Sequence, residues 1–374
     1  MNMLSLYRRQ FLVGTAATCA IDRPEVSARE RDRSVIAGAI RWDAWYKKMD
    51  YSVYAQDALS PLEYRGRAPR HCTISSTGSI LCTGTQAVMD LEIQAAAQAG
   101  LHFWAFVWYG PDTSFRTAWN LYQSSDYREK INWCGILSID EIGKPPFSSN
   151  SWRSTMQEWS EHLLSPTYQK IDLDVGPARP VLFLLWQQGA LKAYFDGQLS
   201  KLAEALRYLK ELVTKGGAGA PYFVLLDGVD GAPIVPIIGA QAIGSYIAAF
   251  RSEREGSYRD LDTQVRVYWT KLAKTGLPIV PIAMVGWDTR ARREHPGPWQ
   301  NTAHLDQYYA LSQPIEFQDH LRAAVTFVTD NIRSCPSRLL LIYSWDECDE
   351  GGCLMPTIGD PQGFYLKAMA PVLR

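Results

Sequence analysis

Residues 339–352 read LLLIYSWDECDEGG, an apolar run that leads directly into four carboxylates and two glycines. The apolar run predicts a buried strand. Burying its end beside so much negative charge costs free energy unless the charges have a task. Glu347 and Glu350 follow the strand three residues apart, so both can face one cleft and act as an acid and a base. The segment therefore predicts a strand that delivers two catalytic carboxylates.

The rest of the chain repeats the order of strand, loop and helix from residue 34 onward. Continuously apolar runs, which are typical of buried parallel strands, lie at residues 34–40, 101–108, 131–139, 180–186, 222–226, 278–285 and 339–343. Helical spacing of apolar residues falls between them, at residues 86–99, 152–164, 199–214, 240–250, 261–275 and 315–332. This alternation predicts a single (β/α)8 TIM barrel, and we expect the missing eighth strand near residues 308–311.

A doubly wound open sheet is the alternative fold. It would require a glycine-rich phosphate turn after an early strand, and the sequence contains no GxGxxG motif. The barrel is therefore the preferred prediction.

Carboxylates recur just after the predicted strands. They are Asp43, Asp140, Glu141, Asp227, Asp288, Glu347 and Glu350. In a barrel these positions converge on one face, which holds the active site. A single carboxylate at a strand end is often a helix cap, but the repetition favours a functional face.

Composition narrows the range of partners. Lys and Arg total 38 and Asp and Glu total 39, so a formal net charge of -1 gives no indication of nucleic acid or of an anionic membrane. The 13 Trp and 19 Tyr suit a carbohydrate cleft, because aromatic rings stack on sugars, although large cores also use them. Scattered histidines and the absence of a CxxC motif predict no metal site, and we expect no cofactor.

The first residues resemble a twin-arginine export signal. Arg8 and Arg9 precede Phe-Leu and a short apolar stretch, which is too short to span a bilayer. We predict an export signal and linker at residues 1–33 and one domain at residues 34–374, with a periplasmic or extracellular location and no stable membrane insertion. An ordinary terminus with a chance arginine pair is the alternative.

Six cysteines remain once such a leader is removed. An even number in an exported protein permits disulfides. The pairs nearest in sequence are Cys72 with Cys82 and Cys348 with Cys353, but their spacing alone does not fix the connectivity.

The chain resembles the endo-α-mannosidase-type glycoside hydrolases of family 99 and the broader family 99-like group. Residues 344–351, SWDECDEG, correspond to the A-W-N-E-W-x-E-G motif of the group, and residues 286–293, GWDTRARR, to its G-W-D-N-T-P-R-R loop. Residues 90–109 resemble its second βα unit, and Trp45-Tyr46 fits its first strand end. The similarity covers the whole predicted domain in order.

The resemblance implies a (β/α)8 barrel and a retaining α-glycosidase, with Glu347 as the base and Glu350 as the acid. In this family the base is thought to deprotonate the sugar 2-hydroxyl. The resulting oxygen attacks its own anomeric carbon and forms a 1,2-anhydro sugar, which water opens. The partner would be an oligo- or polysaccharide.

Residues around the two glutamates are predicted to bind the substrate. They are Trp45, Tyr46, Tyr109, Asp140, Glu141, Asp227, Trp287, Asp288, Trp345 and Asp346. The role of Arg290, Arg292 and Arg293 stays open between sugar hydroxyls, a carboxylate on an acidic glycan, and solvent.

The chain also departs from the family motif. Asp346 replaces Asn, Cys348 replaces Trp and Met355 replaces Glu. The first two positions would border the substrate, so sugar and linkage specificity can differ from those of α-mannosidases. Two other functions remain open: a glycosyltransferase-like role in polysaccharide synthesis, and carbohydrate binding without catalysis.

Overall fold

A computed structural model describes residues 34–143, 147–173, 176–187, 189–249, 255–300 and 302–374. The predicted export signal and linker therefore lie outside the described residues. Residues Val35–Arg374 form one compact unit.

Eight parallel strands form the centre of this unit. They are β1 (Ile36–Arg41), β2 (Phe103–Val107), β3 (Asn132–Ser138), β4 (Arg179–Leu185), β5 (Tyr222–Leu226), β6 (Ala242–Gly244), β7 (Ile279–Val280 and Ile282–Met284) and β8 (Leu339–Tyr343). Nearly all of their residues are buried, as expected for strands covered on both faces.

The strands close into a barrel in sequence order. Each pairs in parallel with the next, and β8 also pairs with β1, so that Ile36 lies opposite Leu339. Pro281 divides β7 into two halves. The first half pairs with β6, and the second half pairs with β8. The predicted (β/α)8 barrel is confirmed.

Helices surround the barrel. They are Ser52–Ala58, Gln86–Gln98, Arg116–Ser124, Ile139–Gly143, Trp152–Leu164, Ala190–Phe195, Leu199–Lys215, Val235–Ile238, Tyr258–Ala273, Pro314–Asp330 and Phe364–Leu373. Their faces follow the apolar spacing of the sequence. The helix Leu199–Lys215, for example, buries Leu202, Leu206 and Leu209 against the core. Among the described residues, no helix has both the length and the apolarity needed to span a membrane.

Several short strands and 3-10 turns lie outside the eight barrel strands and the helices. Strands Thr73–Ile74 and Ile80–Leu81 form an antiparallel hairpin, and Lys170–Ile171 pairs with β4. Single 3-10 turns lie at Arg65–Arg67, Arg128–Lys130, Phe147–Ser149, Gly228–Gly231, Thr289–Arg293, Thr302–His304 and Cys348–Glu350.

Two predicted elements are wrong. The helix predicted at residues 240–250 contains β6, the barrel strand that we expected near residues 308–311. Tyr308–Tyr309 instead pairs with Glu255–Gly256 in a separate two-stranded sheet. β6 is only three residues long, so its apolar run is too short to show whether it repeats as a strand or as a helix.

Candidate active site

The loop after β8 is fixed by its own backbone and by one disulfide. The Glu347 N–H donates to Ser344 Oγ at 2.7 Å, and the Gly352 N–H donates to the Glu347 carbonyl at 3.1 Å. A disulfide joins Cys348 to Cys353 across the same turn. These bonds hold Glu347 and Glu350 on a short structured turn at the carboxyl end of the barrel.

Arg292 enters this turn from the loop after β7. Its Nε donates to Asp349 Oδ2 at 2.6 Å, its Nη1 donates to Glu350 Oε1, and its Nη2 lies 3.7 Å from Glu347 Oε2. All four side chains are buried. Because one guanidinium reaches both glutamates, the two carboxylates face the same small space.

Each glutamate also receives a hydrogen bond from a tyrosine. Tyr246, just after β6, donates to Glu347 Oε1 at 2.6 Å. Tyr343, the last residue of β8, donates to Glu350 Oε2. The two phenol rings lie 5.8 Å apart, so the pair of carboxylates is flanked by a pair of hydroxyls.

Burial sets the protonation of the pair. It raises the pKa of Glu347, and the negative charge of Glu350 raises that pKa further, against the opposing effect of Arg292. Burial also raises the pKa of Glu350, where Arg292 opposes the effect and Asp349 adds to it. The two carboxyls therefore take up a proton at higher pH than ordinary glutamates, which allows one to act as an acid while the other acts as a base.

The positive charge in this cluster comes from Arg292. Burial lowers the pKa of its guanidinium, but the charges of the three carboxylates outweigh burial and the net pKa is raised, so Arg292 stays charged. Within the described part of the chain, no group of three or more His, Cys, Asp or Glu side chains is arranged to hold a metal ion.

Three predicted substrate-binding residues lie beneath the turn. Asp346 Oδ1 accepts from the Trp42 N–H at 2.8 Å, and the Asp346 carbonyl accepts from Trp45 Nε1 at 2.6 Å. Trp345 Nε1 donates to Glu92 Oε2 at 2.9 Å. Asp346, Trp45 and Trp345 are fully buried, so they support from below the turn that carries Glu347 and Glu350.

Tyr46 belongs to a buried network at the end of β1. Its hydroxyl accepts from Arg41 Nη2 at 3.3 Å. Arg41 also forms ion pairs with Asp43 at 2.6 Å and Glu92 at 3.0 Å. Asp43, one of the carboxylates at a strand end, is therefore neutralised inside the barrel and does not reach the cleft.

Tyr109 contacts Trp42 and Phe115. Its hydroxyl accepts from Trp42 Nε1 at 2.8 Å. Burial raises the pKa of Tyr109, and the charges of Glu347, Glu141 and Asp140 raise it further. Asp140 and Glu141, which follow β3, are half-buried.

Asp288 joins the loops after β1, β7 and β8 through its hydrogen bonds. It is buried and accepts from Arg290 Nε at 2.8 Å and from Arg67 Nη2, while its N–H donates to the Glu350 carbonyl at 2.7 Å. Burial would raise the pKa of Asp288, but Arg290 and Arg67 hold it below its usual value. Its neighbour Trp287 is half-buried, with its ring 5.7 Å from that of Tyr343.

Asp227 stands apart from the pair. It follows β5 and is half-buried, and burial together with the charge of Asp230 raises its pKa to about 6. Its charge also acts on Tyr268, and no contact among the described residues joins it to Glu347 or Glu350. Of the predicted substrate-binding residues, it is therefore the one least connected to the turn.

The sequence did not indicate that Tyr246 and Tyr343 bind the two glutamates, nor that Arg292 pairs with both. Tyr246 lies within residues 240–250, whose apolar spacing predicts a helix and not the strand β6. Recognising β6 would have placed Tyr246 in the same series of residues at strand ends. In the sequence, Tyr343 is only the last residue of an apolar strand, whereas in the structure its hydroxyl donates to Glu350.

Two solved structures show the similarity of this fold to known proteins. The GH99 endo-alpha-mannosidase from Bacteroides thetaiotaomicron in complex with BIS-TRIS-propane superposes with a TM-score of 0.57 at 13% identity, covering 90% of this chain and 95% of that chain. A second structure of a GH99 endo-alpha-mannosidase from the same organism gives 0.56 at 12%, covering 90% and 96%. No protein-family model and no curated protein matches the chain. The predicted resemblance to this family is confirmed for the fold.

Proposed function

We propose that the protein is a glycoside hydrolase that cleaves α-linked glycan with retention, with Glu347 as base and Glu350 as acid. The observation that carries the proposal is the buried Glu347–Glu350 pair, joined through Arg292 at the carboxyl end of the strand that closes the barrel. The fold shared with GH99 endo-alpha-mannosidases adds support from a second direction.

The chemistry follows from the partners of each carboxylate. Glu347, ionised and held by Tyr246, takes the proton of the sugar 2-hydroxyl. The freed oxygen attacks the anomeric carbon, and the glycosidic bond breaks as Glu350 gives its proton to the departing oxygen. Arg292 then stabilises the carboxylate left on Glu350.

The second step reverses these roles. Glu350 removes a proton from water, the water oxygen attacks the anomeric carbon of the 1,2-anhydro sugar, and Glu347 returns the proton to O2. Two inversions at the anomeric carbon give net retention.

A neutral glycan suits the charges of this face. The loop arginines are already paired: Arg290 with Asp288, Arg292 with the three carboxylates of the turn, and Arg293 with Asp306. A carboxylate on an acidic sugar would therefore meet net negative charge. We include location in the proposal: the enzyme acts outside the cytoplasm, as the Arg8-Arg9 segment indicates.

The test compares Glu350→Gln and Glu347→Gln with the wild type on neutral and acidic α-glycans. Glu294→Gln is the matched control, because Glu294 is exposed two residues after Arg292. We expect both catalytic variants to lose about 100-fold or more in kcat, and the control to keep wild-type activity. On an aryl α-glycoside with an activated leaving group, Glu350→Gln should recover more activity than Glu347→Gln, because such a leaving group needs no acid.

Other outcomes would redirect the proposal. Equal product release by the wild type and both variants would place the active site elsewhere on the barrel. Binding without product release by the wild type would favour a non-catalytic carbohydrate-binding protein.

A further inference from the structure

Aromatic rings form a continuous row beside the catalytic pair. The Tyr109 and Phe115 rings lie 4.6 Å apart, Phe115 and Trp42 4.7 Å, Trp42 and Trp299 5.6 Å, and Trp299 and Tyr51 5.2 Å. The row passes Arg292, whose guanidinium lies 5.4 Å from the Trp42 ring and donates to Glu350. The row therefore leads from the buried carboxylates outward.

The outer end of the row is open to solvent. Trp299 is 46% exposed, Tyr51 45% and Tyr54 38%, and we call these three residues the outer aromatic cluster. The rings of Tyr51 and Tyr54 stand nearly perpendicular to that of Trp299, at 80° and 85°. Edge contacts thus hold the indole in place while nearly half of its surface stays uncovered, which lowers the entropy lost when a ligand stacks on it.

The cluster is formed by the segments that follow β1 and β7, and an ion pair joins these two segments. Tyr51 and Tyr54 follow β1, whereas Trp299 follows β7. The buried Asp288 of the β7 loop pairs with Arg67 of the β1 loop. The cluster is therefore a built surface and not the chance approach of two independent loops.

Arg292 joins the cluster to the catalytic turn. Its guanidinium lies 5.9 Å from the Trp299 ring and 5.4 Å from the Trp42 ring, while it also binds Glu350. A sugar unit at the glutamates and a second unit on Trp299 would thus lie on either side of one side chain.

We propose that the outer aromatic cluster is a binding subsite for further sugar units of the same neutral glycan chain, so that the enzyme acts on long chains in preference to short ones. The apolar faces of pyranose rings stack on aromatic side chains without any charge, which fits the paired arginines nearby. This inference rests on the proposed function, which identifies the ligand as a glycan. It adds that the protein binds several sugar units of that glycan at once.

Binding is tested without turnover, by affinity electrophoresis in gels containing yeast mannan, dextran or pullulan. The Glu350→Gln protein is compared with the same protein carrying Trp299→Ala or Tyr54→Ala. Tyr127→Ala is the matched control, since Tyr127 is also 38% exposed but lies just before β3, at the opposite end of the barrel. We expect at least one polymer to retard the protein, with about tenfold weaker affinity for both cluster variants and no change for the control.

Kinetics separate this subsite from the catalytic site. In the otherwise wild-type enzyme, Trp299→Ala should lower kcat/KM about tenfold on a polymer and leave it unchanged on an aryl α-glycoside. Polymer retardation would persist even if Glu347 and Glu350 proved not to be catalytic, so the two proposals can fail separately.

Three results would overturn the subsite. They are the absence of retardation by every polymer, unchanged retardation of both cluster variants, and an equal loss of kcat/KM on polymer and aryl glycoside. A shift of the Trp299→Ala protein in size-exclusion elution, with unchanged retardation, would assign the cluster to self-association instead.

Discussion

Glu347, which we propose as the base, lies in a buried and negatively charged environment. Burial and the charge of Glu350 make its ionised form less favourable in the folded protein than in the unfolded chain, which is why its pKa is raised. Tyr246 and Arg292 offset only part of this effect. The residue that we propose as the base therefore also lowers the stability of the folded protein, as functional groups often do.

Glu347→Gln should stabilise the folded protein at neutral pH. The raised folded-state pKa means that the contribution of Glu347 to stability is fully present below its unfolded-state pKa and is lost as pH rises through the folded-state pKa. Glutamine has no charge to lose, and its side-chain oxygen can still accept from Tyr246. We expect a higher Tm than wild type at pH 7, measured by calorimetry.

This stability gain should depend on pH. It should shrink as pH falls toward 4.5, the ordinary pKa of a glutamate, because wild-type Glu347 is then protonated as well. Glu294→Gln should show no such trend, since Glu294 is exposed. A Tm gain that is the same at every pH would contradict the assigned cause.

Individual site residues can be predicted where their sequence context is distinctive. Four carboxylates after an apolar strand stand out in any sequence, so Glu347 and Glu350 could be identified. Arg292 could not, because it lies among three arginines and only the fold shows which one turns inward. Trp45 and Trp345 match motifs of the family that the chain resembles. The sequence alone does not show that other parts of the chain bury both side chains.

At the scale of single elements, length decided what could be predicted. The helices Trp152–Leu164 and Leu199–Lys215 are long enough to repeat their apolar face, and the structure matches their predicted bounds within one residue. β6 has three residues and shows no repeat, so it was missed together with Tyr246. The two halves of β7, interrupted by Pro281, were found only because together they form one apolar run.

The Cys348–Cys353 disulfide should matter more for activity than for stability. It encloses Asp349 and Glu350. Replacing both cysteines by Ser should lower kcat by about 100-fold, because small displacements of an acid are costly for the reaction. The measurement is kcat together with Tm for the double variant.

The second disulfide is the matched control. Cys72–Cys82 lies at the hairpin of Thr73–Ile74 and Ile80–Leu81. Chain entropy gives both disulfides a similar stabilisation, about 2–3 kcal/mol. Removing Cys72–Cys82 should therefore lower Tm by a similar amount and leave kcat near the wild-type value. A similar loss of kcat in both double variants would show that Cys348–Cys353 serves stability alone.

The overall fold could be predicted because apolar strands and amphipathic helices alternate along the chain. Seven of the eight barrel strands could be located from apolar runs, and a barrel is the arrangement that brings their ends to one face. The contacts between loops were not predictable, since the pairs Arg67–Asp288 and Arg292–Glu350 join residues that are distant in sequence.

The proposed export concerns the whole chain and can be tested directly. Two disulfides fit a protein that folds or matures in an oxidising compartment. Changing Arg8 and Arg9 together to Lys should leave the protein in the cytoplasmic fraction, as measured by cell fractionation. The same change at Arg31 and Arg33, in the predicted linker, should leave export intact. Export of the Arg8, Arg9 variant at the wild-type level would contradict the twin-arginine interpretation.

β8 has a consequence for the order in which the protein is made. The ribosome synthesises it last among the barrel strands, and it pairs with both β1 and β7. The same strand leads into Glu347 and Glu350. A nascent chain that stops before β8 lacks both the closing strand and the two glutamates that we propose as acid and base. Translation products that end before β8 therefore contain neither a closed barrel nor the candidate active site.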